Sequence, residues 1–300
     1  MNVTTAEINE PKVARVRERI AAFVELTKPR IAFMLVLTSA AGFYIGTKGS
    51  FDAALFVNSM IGILLLAFGV STLNQYIERD TDALMDRTAK RPIPTSRITA
   101  NEALVFGILQ CAVSEIYLYV LVNPLTAVLG LTVIVGYVFL YTPLKTRTSA
   151  STAIGAIPGA MPPLMGWTAA ANEITIGAWA LFALLFLWQF PHFLAIAWIY
   201  KEQYAKAGIK MLPVVEPDGR ITARQIVLFA IMMVPISLAP FFLGFAGLIY
   251  LIGATILGVW FLFESVQTAR AKTVERARRL LMVSVLYLPL IFGLLVIDHR

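Results

Sequence analysis

The chain has 300 residues, of which 58% are hydrophobic and only 14% are charged, and its formal net charge is +7. A soluble protein carries about 25% charged residues, so this composition excludes an ordinary water-soluble protein and indicates one that spans a membrane. The single cysteine, Cys111, excludes a disulfide framework, and two histidines, His192 and His299, are too few for a multi-histidine metal centre within one chain.

Nine apolar segments along the chain are candidates to cross a bilayer, which takes about 20 predominantly apolar residues. In chain order they are 31–47, 53–77, 101–121, 124–142, 152–170, 175–199, 223–242, 246–266 and 280–297. We therefore predict an all-α membrane protein with about nine transmembrane helices. Residues 1–30 are expected to form a cytoplasmic N-terminal tail, and residues 31–300 a single transmembrane domain.

The positive charges alternate between connections. All 25 lysines and arginines except Lys48 and Arg300 fall in the N-terminal stretch or in every second connection. Because lysine and arginine accumulate in cytoplasmic loops, the N-terminus is predicted to be cytoplasmic and the C-terminus to lie on the far side of the inner cell membrane. Topology and the lipid bilayer thus account for the basic charge, and no nucleic-acid partner is expected.

A charged segment, NQYIERDTDALMDRTAKRP, follows the second span directly at residues 74–92. Asn74, Glu78 and Asp82 are spaced four apart, so on a continuing helix they share one face, and Asp86 would be a fourth member. Oxygen ligands near membrane depth are costly unless a cation lies among them. Amide and carboxylate oxygens suit Mg2+, which usually binds through one or two carboxylates together with substrate phosphate.

Two arginines, Arg87 and Arg91, come immediately after the acidic residues, and Pro92 is predicted to end the helix. Arginine can bind phosphate oxygens in a bidentate manner. The segment is therefore predicted to hold Mg2+ and a diphosphate. The alternative is a solvated loop of mixed charge, stabilised by Glu–Arg pairs at helical spacing.

The pattern Asn-xxx-Glu-xxx-Asp followed by Met-x-Arg-Thr-xx-Arg-Pro resembles the first signature of the UbiA-type intramembrane prenyltransferases. Glu78 at the middle position and the tail MDRTAKRP are similar to the branch of that family that farnesylates protohaem. The resemblance covers essentially residues 25–295. It implies a helical bundle around a central cavity, capped at the cytoplasmic face by the connections after the second and sixth spans.

A second segment, WQFPHFLAIAWIYKEQYAKAGIKMLP at residues 188–213, is similar to the same branch. The resemblance implies an acceptor site at Trp188, Gln189 and His192 and a further metal ligand at Glu202. As an alternative to a metal site here, Lys201 and Lys206 would contact phosphate oxygens. The branch usually has an acidic pair before the tyrosine, whereas here Glu202 is followed by Gln203, which leaves one carboxylate.

Three roles are open for His192: ligand of haem iron, contact of the porphyrin propionates, or proton acceptor. The alternative is a hydrogen-bonded core histidine. The middle connection adds Lys145 and Arg147 on the predicted cytoplasmic side. Lys145 is expected to bind diphosphate with Arg87 and Arg91, although positive-inside topology alone also explains both cations.

The resemblance implies an enzyme that transfers a farnesyl group from farnesyl diphosphate to a vinyl group of protohaem (haem b), giving haem O. Asn74, Glu78 and Asp82 would assist departure of the diphosphate by holding Mg2+. One alternative is a family member with a quinone-precursor or tetrapyrrole acceptor. An alternative of another class is a membrane haem carrier or ion-coupled transporter, which predicts carboxylates at the bilayer midplane in both halves and no arginine pair.

Overall fold

The computed structural model describes residues 12–300, with side chains from residue 16 onward. Within that range the chain is helical apart from its connections and one isolated antiparallel bridge between Ala246 and His299. The elements in chain order are α1 (Lys12–Leu26), α2 (Pro29–Gly46), α3 (Ala53–Ala83), α4 (Ala100–Leu121), α5 (Pro124–Ile134), a π-helical segment (Val135–Tyr141), α6 (Thr142–Leu144), α7 (Ser151–Gly159), α8 (Met161–Ala171), α9 (Ile176–Ile199), α10 (Lys201–Lys206), α11 (Leu212–Val215), α12 (Arg220–Phe242), α13 (Leu248–Ala271) and α14 (Val274–Ile297).

The predicted all-α membrane architecture is confirmed. In the described part of the chain, eight helical stretches are long and apolar enough to cross a membrane, namely α2, α3, α4, the continuous stretch Pro124–Leu144, α9, α12, α13 and α14. The predicted span 152–170 is present as two short helices, α7 and α8, which meet at Ala160. The break comes directly before the consecutive prolines Pro162 and Pro163, which both lack the backbone N–H that would continue the helical hydrogen bonds across Ala160.

Small residues allow α2 and α8 to cross at very short range. A Cβ atom on Gly166 would lie 1.9 Å from the carbonyl oxygen of Ser39, and one on Gly42 would lie 2.1 Å from that of Pro163. Both contacts are to backbone, which cannot move aside as a side chain can. Glycine is therefore required at this crossing, and close approach of this kind is how helices associate inside a membrane.

Large apolar side chains occupy both the interior and the sides of the bundle. Tyr250, Phe261 and Tyr287 are fully buried between α12, α13 and α14. Phe242 and Ile297, in contrast, are largely exposed on the outer surface of their helices. Many other aliphatic and aromatic side chains are exposed in the same way, which is typical of a surface that faces lipid. The central cavity stays a prediction.

Alternate connections meet at the same end of the bundle, as the charge alternation predicts. The connections after α6 and α9 are joined by a hydrogen bond from the Lys210 N–H to the Lys145 carbonyl (2.7 Å). At the opposite end, Lys48 pairs with Glu173 across two other connections (2.5 Å). We call the end that carries α1 and the connections after α3, α6, α9 and α13 the basic end.

The predicted N-terminal tail includes a helix that packs on the bundle. Ala22 and Leu26 of α1 are fully buried, and the Gln75 side chain on α3 donates to the Leu26 carbonyl (2.9 Å). This contact holds the turn between α1 and α2 against the last turns of α3. Residues 1–11 lie outside the described part of the chain.

Candidate active site

One face of α3 carries the predicted ligands to the basic end. The helix continues unbroken to Ala83, so Asn74, Glu78 and Asp82 lie one above another, as their spacing predicts. Asn74 and Asp82 are each 1% exposed, and Glu78 is half-buried. Buried amide and carboxylate groups need partners. We call these three residues the acidic face of α3.

Asp86 is not part of this face, and the prediction that the helix runs on to Pro92 is wrong. The Leu84 N–H bonds to the Thr81 carbonyl (3.2 Å), and the Thr88 hydroxyl donates to the Asp82 carbonyl (2.8 Å). Tight turns thus take up the last helical carbonyl groups. The chain leaves the helix after Ala83, and Asp86 is exposed.

Each member of the acidic face is bonded to a different cation. Lys28 donates to Asn74 Oδ1 (2.7 Å), Lys145 to Glu78 Oε1 (2.5 Å) and Arg91 to Asp82 Oδ2 (2.5 Å). The three cations come from three separate stretches: the residue before α2, the connection after α6 and the turns after α3. The basic end therefore converges on this face.

Lys28 was missed by the sequence analysis, which treated it as part of a basic tail. It adopts a left-handed conformation (φ 49°, ψ 60°), and the next residue, Pro29, opens α2. A residue before proline is disfavoured in the right-handed helical region, so Lys28 does not continue into α2. Its side chain reaches across to Asn74 on α3 instead. Burial, followed by the positive charge of Arg91, lowers the pKa of Lys28 to about 7. The sequence did contain a signal for this role: a lysine lies next to the first predicted span, on the side where the charge alternation places the basic connections.

Lys145 is positioned by a widened helical segment. Pro143 has no N–H to donate, and the preceding turns are π-helical, a form often found at functional sites. Thr142 there accepts a bond from Asn74 Nδ2 (3.2 Å), and Lys145 Nζ lies 4.5 Å from the centre of the Tyr141 ring. Burial opposes charge on Lys145, but the Glu78 carboxylate outweighs it and raises the pKa of Lys145. Arg147 is exposed, which agrees with a topological role.

Arg87 and Arg91 point in different directions because the chain between them is not helical. Arg91 reaches back to Asp82, whereas Arg87 donates to the Tyr204 hydroxyl (3.2 Å) and lies over the Tyr200 ring (4.9 Å to its centre). Both tyrosines flank or belong to α10. Arg87 therefore fastens the connection after α3 to the connection after α9.

Like Arg87, two further residues expected at the diphosphate and metal site lie away from the acidic face. Lys201 donates to the Pro217 carbonyl within its own connection (3.1 Å). Glu202 is exposed and makes no ion pair with any described residue. Its neighbour Gln203 makes the contact with the α3 side, accepting the Arg87 backbone N–H (3.2 Å). The structure does not bring Lys201 and Glu202 to the acidic face.

The three α9 residues expected at the acceptor site have distinct partners. Gln189 donates to the Ala156 carbonyl on α7 (3.0 Å). Trp188 and His192 both contact Ser284 on α14, through its carbonyl (2.9 Å) and its hydroxyl (2.8 Å) respectively. Their rings stack with centres 4.5 Å apart. His192 is half-buried, so it is neither sealed in the core nor free in solvent.

The acidic face fits a hard divalent cation that is bound partly by protein oxygens and partly by phosphate oxygens. Among the described residues, no three His, Cys, Asp or Glu side chains converge to form a complete metal cage. Glu78 Oε2 and Asp82 Oδ1 make no hydrogen bond to a described residue, and Asn74 Oδ1 lies on the same face. Two carboxylates and an amide form the partial set that Mg2+ uses together with phosphate oxygens.

The chain belongs to the UbiA prenyltransferase family, whose family model matches residues 35–288. Among its relatives is a protein of Solibacter usitatus named protoheme IX farnesyltransferase, 48% identical over 286 residues, which cover 92% of this chain and 98% of that protein. A Koribacter versatilis protein of the same name is 43% identical over 288 residues, with 92% and 93% covered.

Solved structures share the fold. A structure of digeranylgeranylglyceryl phosphate synthase superposes with a TM-score of 0.79 at 15% identity and covers 94% of this chain and 98% of that one. A UbiA homologue from Archaeoglobus fulgidus, bound to GPP and Mg2+, has a TM-score of 0.67 at 18% identity, with 91% and 99% covered. The chain is thus a multi-pass membrane protein of the UbiA fold.

Proposed function

We propose that this protein transfers the farnesyl group of farnesyl diphosphate to a vinyl group of protohaem, with the help of Mg2+. The observation that carries the proposal is the acidic face of α3, where three oxygen-bearing side chains each bond a different cation. Relatives at 43–48% identity carry the name protoheme IX farnesyltransferase. The substrates in that name supply the donor and acceptor proposed here.

The donor half of the reaction needs a site that makes diphosphate a good leaving group. Asn74, Glu78 and Asp82 would hold Mg2+, which neutralises charge developing on the diphosphate. Lys28, Arg91 and Lys145 then turn from the acidic face toward phosphate oxygens, where ammonium and guanidinium groups form strong charge-assisted hydrogen bonds. Arg87 holds the two connections together above this site.

The transfer breaks the bond between farnesyl C1 and the diphosphate oxygen, and the electron pair leaves with the diphosphate. The vinyl π electrons of protohaem form the new carbon–carbon bond to C1. The cation left beside the porphyrin ring adds water and loses a proton, which gives a hydroxyethylfarnesyl side chain. Enclosure by the bundle protects the allylic cation from water until the vinyl group has reacted.

The basic end is proposed to face the cytoplasm, because lysine and arginine accumulate on that side. The C-terminus then lies on the far side of the inner membrane. This places the acidic face of α3 at the cytoplasmic surface, where a water-soluble diphosphate head can enter while its isoprenoid tail stays in apolar surroundings.

The test is a product assay with purified protein, protohaem, farnesyl diphosphate and Mg2+, read by mass spectrometry. The expected product has the mass of protohaem plus one farnesyl group and one hydroxyl group. Chelation of Mg2+ should stop its formation. Transfer to a quinone precursor with none to protohaem would assign a different acceptor, and haem binding without any transfer would indicate a carrier.

Asp82→Ala is expected to abolish transfer while the variant still inserts in the membrane and binds haem, because the change removes a metal ligand and leaves Arg91 without its partner. Asp80→Ala is the matched control, since Asp80 lies on the same helix but its side chain is 86% exposed. Full activity in Asp82→Ala would refute the assignment of the acidic face.

A further inference from the structure

We propose that His192 ligates the iron of the haem substrate through its Nε2 atom, with Nδ1 protonated and bonded to Ser284. This inference rests on the proposed function, since it requires protohaem as the acceptor. It chooses one of the three roles that the sequence left open for this histidine. It also assigns Trp188 and Ser284 as positioning residues for the ring.

The hydrogen bonds of Ser284 determine which nitrogen of His192 carries the proton. A serine hydroxyl has one proton to donate. The Ser284 hydroxyl lies 2.6 Å from the Leu281 carbonyl, which can only accept, so its proton is directed there. His192 Nδ1, at 2.8 Å from the same oxygen, must then be the donor. Nε2 of the neutral ring is left as a lone pair without a partner among the described residues.

This arrangement has the features of a histidine that binds a metal. A ligating histidine donates its other ring N–H to a fixed acceptor, which sets the tautomer and the ring orientation. Here Ser284 holds the ring edge, the stacked Trp188 covers one ring face, and the Trp188 N–H is itself bonded to the Ser284 carbonyl (2.9 Å). Imidazole nitrogen is a suitable ligand for iron.

The other two roles fit the geometry less well. A propionate carboxylate needs a donor, and Nε2 carries no proton in this tautomer. A proton acceptor would become an imidazolium, but the only hydrogen-bond partner of His192 among the described residues is a neutral hydroxyl, and its ring neighbours are Trp188 and Phe193. A cation there would lack the carboxylate that stabilises it.

The depth of His192 also suits an acceptor held beside the acidic face. His192 precedes the end of α9 by seven residues and Asn74 precedes the end of α3 by nine. At 1.5 Å per residue these are about 10 and 13 Å from the two helix ends, which both lie at the basic end. Iron held at His192 would place the porphyrin at the level where the farnesyl cation forms.

The experiment is spectroscopy of ferric and ferrous haem bound to the purified protein, without farnesyl diphosphate. The wild type should show an axial histidine, and His192→Ala should lose it, together with its preference for haem over iron-free protoporphyrin IX. His299→Ala is the matched control, because the only other histidine lies at the opposite end, bonded to the Phe245 carbonyl (2.9 Å). Ser284→Ala should keep the ligand but lower haem affinity roughly 10- to 100-fold.

His192→Gly with added imidazole guards against a folding defect, since imidazole should restore the axial-histidine spectrum. An unchanged spectrum in His192→Ala, or equal affinity of the wild type for haem and iron-free porphyrin, would overturn the iron-ligand assignment while farnesyl transfer still stood. A wild type that binds no haem would instead overturn the proposed function.

Discussion

At the scale of single residues, the acidic face of α3 could be read from the sequence, but its cations could not. A spacing of four places Asn74, Glu78 and Asp82 on one helical face wherever the helix continues. The partners depend on tertiary contacts: Lys28 is 46 residues from Asn74, and Lys145 is 67 from Glu78. Spacing along one segment cannot reveal which distant lysine reaches it.

Lys28 provides a test at this scale. Lys28→Gln is expected to raise the KM for farnesyl diphosphate roughly 10- to 100-fold, because a hydrogen bond to a charged group is worth about 1.5–3 kcal/mol. Lys28→Arg should retain most of the affinity. Steady-state kinetics at saturating protohaem measure both, and Lys48→Gln, at the opposite end of the bundle, is the control. An unaltered KM in Lys28→Gln would show that this lysine serves only as a hydrogen-bond donor to Asn74 in the folded protein.

At the scale of elements, most helices could be placed from apolar length, while two boundaries could not. The end of α3 depends on turns held by the Thr88 hydroxyl. The four-residue spacing of polar residues continues past Ala83 and so does not show where the helix ends. The span 152–170 has the length of one helix, but its prolines divide it at Ala160. In both cases a local detail of backbone hydrogen bonding ends a helix at a point where neither residue spacing nor apolar length shows a boundary.

The crossing of α2 and α8 gives a prediction about stability. Gly166→Ala should lower the free energy of unfolding by about 1–3 kcal/mol, because the new Cβ would overlap the Ser39 carbonyl, which belongs to the helix backbone. Thermal unfolding in detergent measures the change. Gly293→Ala in α14 is the control, since a Cβ there would meet nothing within 4 Å. Equal melting temperatures would mean that the crossing is looser than described.

The contact between two connections gives a second prediction at this scale. Arg87→Lys keeps the charge but loses the planar group that lies over Tyr200 and bonds the Tyr204 hydroxyl. The variant should show faster amide exchange in residues 84–98 and 200–216 and a higher KM for farnesyl diphosphate. Hydrogen–deuterium exchange and kinetics check the two effects separately. Unchanged exchange in both segments would contradict the role given to Arg87.

At the scale of the whole molecule, the alternation of charge was the most informative property of the sequence. It predicted which connections meet, and hydrogen bonds at the basic end join those after α3, α6 and α9. It could not predict that part of the N-terminal tail folds as α1 against α3. Burial of Ala22 and Leu26 depends on a surface that exists only once the bundle is assembled.

Orientation is tested by thiol labelling of sealed cells. A cysteine replacing Lys48 should react with a membrane-impermeant reagent added outside, whereas one replacing Lys272 should react only after permeabilisation. The native Cys111 is buried, so background labelling should be low. The reverse pattern would invert the proposed topology while leaving the fold intact.

Under the proposed function, the pairing of each residue of the acidic face with its own cation would make Mg2+ and diphosphate dependent on one another for entry. Asn74, Glu78 and Asp82 already accept bonds from Lys28, Lys145 and Arg91 respectively, so Mg2+ arriving alone must compete with three existing bonds. A diphosphate arriving alone meets two carboxylates that it would have to displace from the same cations. When both arrive as one complex, the cations and the carboxylates exchange partners together and every charge remains matched. Tight binding of either one should therefore be seen only in the presence of the other.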